Sequence, residues 1–190
     1  MKEESIKIVG FTGSLRRGSY NKSALRTAAA LLPEGTELEI IDLSGLPFLN
    51  EDVEAAGVPQ AVLRFKEQLA GCDGVLIATP EYNYSIPPVL KNALDWASRG
   101  DTPPLSGKPL AIMSASPGMF GGARAQYHLR QVCVQLNLIP LNRPEVMIAA
   151  AHTKINEEGV LTDERSRQAV KGLLEALVRE IRRNKGRSYE

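Results

Sequence analysis

Two hydrophobic rhythms alternate along the chain. Short runs dense in Val, Ile, Leu and Phe fall at residues 7–11, 37–42, 74–78, 110–114 and 142–148. Several lack the in-out alternation of a half-exposed strand, as expected of strands buried on both faces of a parallel sheet. Elsewhere apolar residues return every three or four positions, which is the helical period. The clearest such stretch carries Val170, Leu173, Leu174, Leu177, Val178 and Ile181 on one stripe, and Leu129, Val132, Cys133 and Leu136 form another. Helices are also predicted over 22–32 and 89–98. The order reads βαβαβαβαβα, which predicts a parallel sheet with helices on both faces. Asp163 and Glu164 open the last helix and Arg182, Arg183 and Lys185 close it, in the order that complements the helix dipole. The basic C-terminal tail, residues 183–190, then reads as a capped and solvated helix end and not as a nucleic-acid site.

At 190 residues the chain suits one substantial core, so residues 1–190 are expected to form a single domain. Its 23 basic and 22 acidic residues nearly cancel, which removes any bulk electrostatic case for nucleic acid or anionic membranes. No apolar run approaches the roughly 20 residues that span a bilayer. The start of the chain lacks the apolar stretch of a secretory signal, so a cytoplasmic location is expected. Cys72 and Cys133 stand far apart without metal-ligand spacing and read as inert core thiols.

Five βα units leave two common strand orders, and both place a ligand beyond the carboxyl ends of the strands, where the order reverses. The chemistry is therefore expected in the loops after strands one, three and four. The first runs from Thr12 to Asn21 into a helix, a junction that aims unpaired N–H groups and the positive helix end at one spot. A phosphate fits there. Ser14 and Ser19 supply hydroxyls, Arg16 a planar fork, and Gly13 and Gly18 tight turns; Asn21 is either a further polar contact or the helix N-cap. Neither Gly-x-x-x-x-Gly-Lys-Ser/Thr nor Gly-x-Gly-x-x-Gly occurs, so Asp42 carries little weight as a ribose-binding acid. In the second loop Pro80, Pro87 and Pro88 stiffen the chain, and Pro88 suits the first turn of a helix. Such a loop can offer consecutive main-chain N–H groups to the O2, N1, N3 and O4 edge of an isoalloxazine. Donors near N1 and O2 stabilise the negative charge of a reduced flavin. The third loop, with Ser116, Gly118, Gly121 and Gly122, lets main chain approach the face or rim of such a ring.

Gly13-Ser14-Leu15-Arg16 with Ser19 and Asn21, then Thr79-Pro80-Glu81-Tyr82-Asn83, Ser85, Pro87 and Leu90-Lys91-Asn92-Ala93-Leu94-Asp95-Trp96, match one family in order and spacing. They resemble the NADPH-dependent FMN reductases, which include chromate and quinone reductases. The likeness covers strand one to about Gly122. It implies an α/β, flavodoxin-like three-layer sandwich, with a five-stranded parallel sheet in the order 2-1-3-4-5. It also implies non-covalent FMN, NADPH or NADH as electron donor, and a homodimer or homotetramer. The expected cofactor contacts are Ser14, Arg16, Ser19, Asn21, Pro80, Glu81, Tyr82, Asn83, Ser116 and Gly118, with no metal and no catalytic side chain. Hydride would pass from the nucleotide through FMN to quinones, nitro or azo aromatics or chromate, in ping-pong fashion. Two alternatives stand beside this reading: a dedicated supplier of free reduced FMN, and a flavodoxin-like electron carrier without turnover. Glu81 is assigned a positioning role, Lys91 and Asp95 a surface pair, Trp96 the core, and His128 and His152 surface or structural places. Tyr84, Arg124, Tyr127, Arg130 and Glu145 are the expected subunit boundary, an aromatic and arginine mixture typical of interfaces.

Overall fold

A computed structural model describes residues 5–187. Strands β1 (Ile6–Thr12), β2 (Thr36–Ile41), β3 (Gly74–Ala78) and β4 (Pro109–Ala115) pair in parallel, with β5 (Ile139–Pro140) and β6 (Val146–Ile148) at the far edge. The strand order is β2-β1-β3-β4-β5, and β6 also pairs with β4. Helices α1 (Tyr20–Ala30), α3 (Gln60–Ala70), α4 (Pro88–Ala97), α5 (Ala123–Leu136) and α6 (Glu164–Arg187) cover the two faces, while the short α2 (Glu51–Ala56) buries no side chain. This is the flavodoxin-like arrangement.

The period of two along each strand decides which face a side chain serves. Ile6 and Ile8 point with Leu76, Ala78, Ala111 and Met113 toward α1 and α6. Val9, Phe11, Val75, Ile77, Leu110 and Ile112 point the other way, toward α3, α4 and α5. Every residue of β3 and β4 is buried, which is why those runs showed no alternation in the sequence. Phe11 meets Phe65 edge-on, with ring centroids 6.0 Å apart. Trp96 is fully buried, and its indole N–H donates to the Pro47 carbonyl at 2.8 Å, the partner a buried indole requires. Lys91 and Asp95 form the expected exposed i, i+4 pair at 2.6 Å.

Two expectations change. The predicted fifth strand, 142–148, is instead two short segments. Pro109 and Leu110 pair with Ile139 and Pro140, whereas Met113 to Ala115 pair with Val146 to Ile148. Leu141 to Glu145 must therefore bulge outward where β4 spends only Ala111 and Ile112. The first helix starts at Tyr20, not at residue 22, because Ser19 is its N-cap and accepts from the Lys22 N–H at 3.3 Å. Asn21 thereby loses the capping role. The basic run 183–187 forms the end of the last helix, as its charge order suggested, while residues 188–190 lie outside those described. Ahead of α6, the Asp163 carboxylate takes the Ser166 N–H at 2.8 Å and its hydroxyl at 2.6 Å; the hydroxyl, above all, holds that carboxyl below its usual range.

Both cysteines are free and buried. Burial pushes the Cys133 thiol up to about 11 and raises Cys72 as well, so neither is a thiolate near neutrality. Among the described residues no helix is long and apolar enough to cross a membrane, and no cluster of His, Cys, Asp or Glu forms a metal site.

Candidate cofactor site

Strand order reverses between β1 and β3, and the loops that leave β1, β3 and β4 meet above that point. Three contacts bolt them together in pairs. A Cβ on Gly13 would lie 2.4 Å from Pro87 Cγ and 2.7 Å from Leu90 Cβ, so the first loop presses directly on the end of the second. Glu81, in the second loop, accepts from Arg124 Nε at 2.6 Å and from the Arg124 main-chain N–H at 3.1 Å, which ties it to the start of α5. Asn21, at the start of α1, bonds Ala115, where the third loop begins.

The first loop leaves a run of main-chain donors without partners among the described residues. Main-chain N–H groups from Leu15 through Asn21 have no hydrogen-bond partner among the described residues, while Ser14 N–H is held by Thr12 Oγ1 at 3.3 Å. Ser14 and Ser19 are buried, whereas Leu15 to Gly18 are exposed. Arg16 lies 5.3 Å from the Tyr20 ring centroid and donates to the Gly18 carbonyl at 2.6 Å, so its charge is folded over the loop. Gly13 is required by contact with Pro87 and Leu90. Gly18 has open space around it, and nothing in the structure demands glycine there. Asp42 accepts from the Ser44 hydroxyl and N–H at 2.8 and 3.1 Å, bonds that lower its pKa and spend it on a turn.

In the second loop the chain reverses over Asn83 and Tyr84. Their φ values are 49° and 68°, and Tyr82 and Ser85 exchange both N–H···O bonds at 2.9 Å. Two positive φ angles mark a type I′ turn, a strained choice for tyrosine that surrounding contacts must hold. Arg124 supplies them: its guanidinium carbon sits 3.8 Å from the Tyr84 ring centroid and 4.8 Å from that of Phe120. The donors are thus not consecutive. Tyr82 N–H is spent across the turn, whereas Glu81, Asn83 and Tyr84 N–H groups have no partner among the described residues. His128 stands at 3.0 Å from Ser85 Oγ, a brace from α5 to this loop, while His152 sits in a short 3-10 turn.

The third loop satisfies much of its own polarity. Gly118 N–H donates to Ser116 Oγ at 3.1 Å, and the Gly118 carbonyl accepts from the Ala150 and Gly121 N–H groups. Ser116 and Gly118 therefore have little hydrogen bonding left for a ligand and offer mainly shape. Gly121 and Gly122, with φ of 58° and 90°, are demanded by packing: added Cβ atoms would meet Ala149 N at 2.9 Å and Ser114 Cβ at 2.7 Å. Their role is internal. Arg124, expected at a subunit boundary, also braces the second loop through Glu81, a contact between residues 43 apart that left no local signal in the sequence.

The family model described as NADPH-dependent FMN reductase matches residues 6–153. The chain belongs to that family. An NAD(P)H-dependent FMN reductase of Pseudomonas aeruginosa is 53% identical over 183 residues, covering 96% of this chain and 99% of that one. A quinone reductase of Escherichia coli K12 is 40% identical, covering 96% and 98%. Among solved structures, a flavoenzyme NAD(P)H:(acceptor) oxidoreductase of Paracoccus denitrificans superposes with a TM-score of 0.86 at 32% identity, covering 94% and 98%. The chain is thus an FMN-dependent NAD(P)H oxidoreductase. The donor set fits FMN: partnerless N–H groups, two hydroxyls and a guanidinium at a helix start suit a phosphate, and the rigid turn suits a flat polar edge.

Proposed function

We propose that the chain forms one FMN-binding domain that oxidises NAD(P)H and reduces quinones and other flat acceptors in two successive half-reactions. Nitro and azo aromatics and chromate belong to the same acceptor range. The observation that carries this reading is the convergence of three braced loops over the β1–β3 reversal, two of which carry N–H groups without a partner among the described residues. In this reading Ser14, Ser19, Arg16 and the N–H groups of the first loop hold the phosphate. Glu81 and Asn83 present main-chain N–H groups to the ring edge, Pro80 and the Tyr82 turn keep them in place, and Ser116 and Gly118 shape the opposite side. Bound FMN supplies the two-electron chemistry, taking hydride from the nicotinamide and returning reducing power to the acceptor. The side chains orient and stabilise charge, and none is assigned a proton transfer. The quinone reductase name of the 40%-identical relative supports the acceptor class.

The purified protein should be yellow, retain FMN through gel filtration, and oxidise NADH or NADPH with a benzoquinone along parallel double-reciprocal lines. Loss of flavin on the column favours the supplier of free reduced FMN, and a yellow protein without turnover favours the electron carrier. A colourless protein that takes up no added FMN ends the redox reading.

The outer surface near α5 supports a homodimer or homotetramer. Phe120 and Tyr127 are more than half exposed, Val134 is 82% exposed, and Tyr127 reaches Glu145 at 3.4 Å beside the Arg124–Tyr84 stack. Arg130 is spent internally on the Leu141 carbonyl. Light scattering at micromolar concentration should give a mass of two or four chains, and a monomer removes the assignment. Two buried, reduced thiols agree with a cytoplasmic location.

A further inference from the structure

Asn21 is 2% exposed, and its side chain is spent on a single distant residue. Its Nδ2 donates to the Ala115 carbonyl at 2.9 Å, and its Oδ1 accepts from the Ala115 N–H at 2.9 Å. Because the two partners are a carbonyl and an N–H, they fix which end of the amide faces which group. This pair of bonds is what a neighbouring strand would give Ala115. The need for it follows from the sheet. On the β3 side β4 is paired only as far as Met113, which bonds Ala78's neighbour Thr79 through Thr79 N–H to Met113 O at 2.9 Å. There β3 turns away into Pro80, and Ala115 overhangs. On its other side Ala115 keeps its partner Ile148. The amide of Asn21 takes the place that β3 has left.

That bond pair joins the two ends of the site. Asn21 follows Ser19 and Tyr20 directly, at the helix start assigned to the phosphate, while Ala115 leads into Ser116 and the loop assigned to the ring. We propose that Asn21 is a positioning residue which sets the spacing between the phosphate cradle and the ring pocket, and not a phosphate ligand. The proposal rests on the FMN reading above. A ligand held at both ends gains affinity only if the two subsites keep the separation that its linker spans. Riboflavin or inorganic phosphate, each engaging one end, is indifferent to that separation. The clamp therefore contributes to FMN affinity and leaves the affinity of each half untouched.

The test titrates apoprotein, wild type and Asn21→Ala, with FMN, riboflavin and inorganic phosphate, well below the melting temperature of both. Asn21→Ser, too short to span both Ala115 groups, serves as the second variant if the alanine form folds poorly. The expected result is an FMN Kd raised at least tenfold, with riboflavin and inorganic phosphate each changed less than twofold. Hydrogen exchange at Ala115 should quicken in the same variants. Parallel weakening of FMN and inorganic phosphate overturns the proposal in favour of a direct ligand. A lowered melting temperature with all three affinities unchanged overturns it in favour of a purely structural tie. A wild-type protein that binds neither FMN nor riboflavin sinks the cofactor reading itself, and the clamp with it, whereas tight wild-type FMN binding with an unaffected variant sinks the clamp alone.

Discussion

Arg124→Ala is expected to weaken FMN binding at least tenfold and to cost about 2 kcal/mol of stability. The guanidinium makes three contacts at once: an ion pair with Glu81 at 2.6 Å, a stack on Tyr84 and a second ring contact with Phe120. Removing it strands the Glu81 carboxylate, whose side chain is only 10% exposed, with just the residue-124 N–H for a partner. The positive-φ pair Asn83 and Tyr84 then loses the weight that holds it, and the turn relaxes. The neighbouring Glu81 and Asn83 N–H groups go with it. Arg124→Lys restores charge without the planar stack and should fall between the two. Flavin titration with thermal melts of wild type, R124A, Glu81→Gln and the double variant provides the check. If the two single changes add without coupling, the pair does not act as a unit.

A methyl group at Gly13 should be almost as damaging. The nearest atoms, Pro87 Cγ at 2.4 Å and Leu90 Cβ at 2.7 Å, belong to a rigid ring and to a helix, so neither can yield cheaply. Overpacking of this kind costs about 1–3 kcal/mol. The larger effect is on geometry. The loop must move as a whole, and the Ser14 hydroxyl and the N–H groups after it move away from the second loop. Gly13→Ala should therefore raise the FMN Kd by tenfold or more, a loss larger than that of Gly18→Ala, which has open space around it. Equal, small effects of the two substitutions in a flavin titration would show that the contact is relieved without displacing the site.

The sequence made the central strands and the three loops easy to read, for a physical reason. Strands β3 and β4 are buried on both faces, so their apolar runs are continuous, and the loops beyond them are marked by Gly, Ser and Pro, whose effects are local. What escaped was set by residues far apart in the chain. Ser19, Tyr20 and Asn21 are a plausible helix start in any register; the cap went to Ser19 because Asn21 had a partner 94 residues away. The outer strand was misread because Val146 to Ile148 suggested one run, while Pro140 hid the other half of the edge and the bulge between them has no signature. Gly121 and Gly122 announced close approach correctly, but what they approach is Ala149 and Ser114.

The hairpin between Tyr82 and Ser85 is closed by main-chain bonds and braced by Arg124 on the Tyr84 ring and His128 on Ser85, while the Tyr82 side chain, 47% exposed, takes part in none of these contacts. Shape and surface are thus written by different atoms. Selection, or an engineer, can redraw the outward face at position 82 to favour one oxidant over another while the peptide groups beneath stay where they are. With the Glu81 and Asn83 peptide groups holding the ring edge as proposed above, substrate range is free to drift at position 82 without renegotiating how the coenzyme is held.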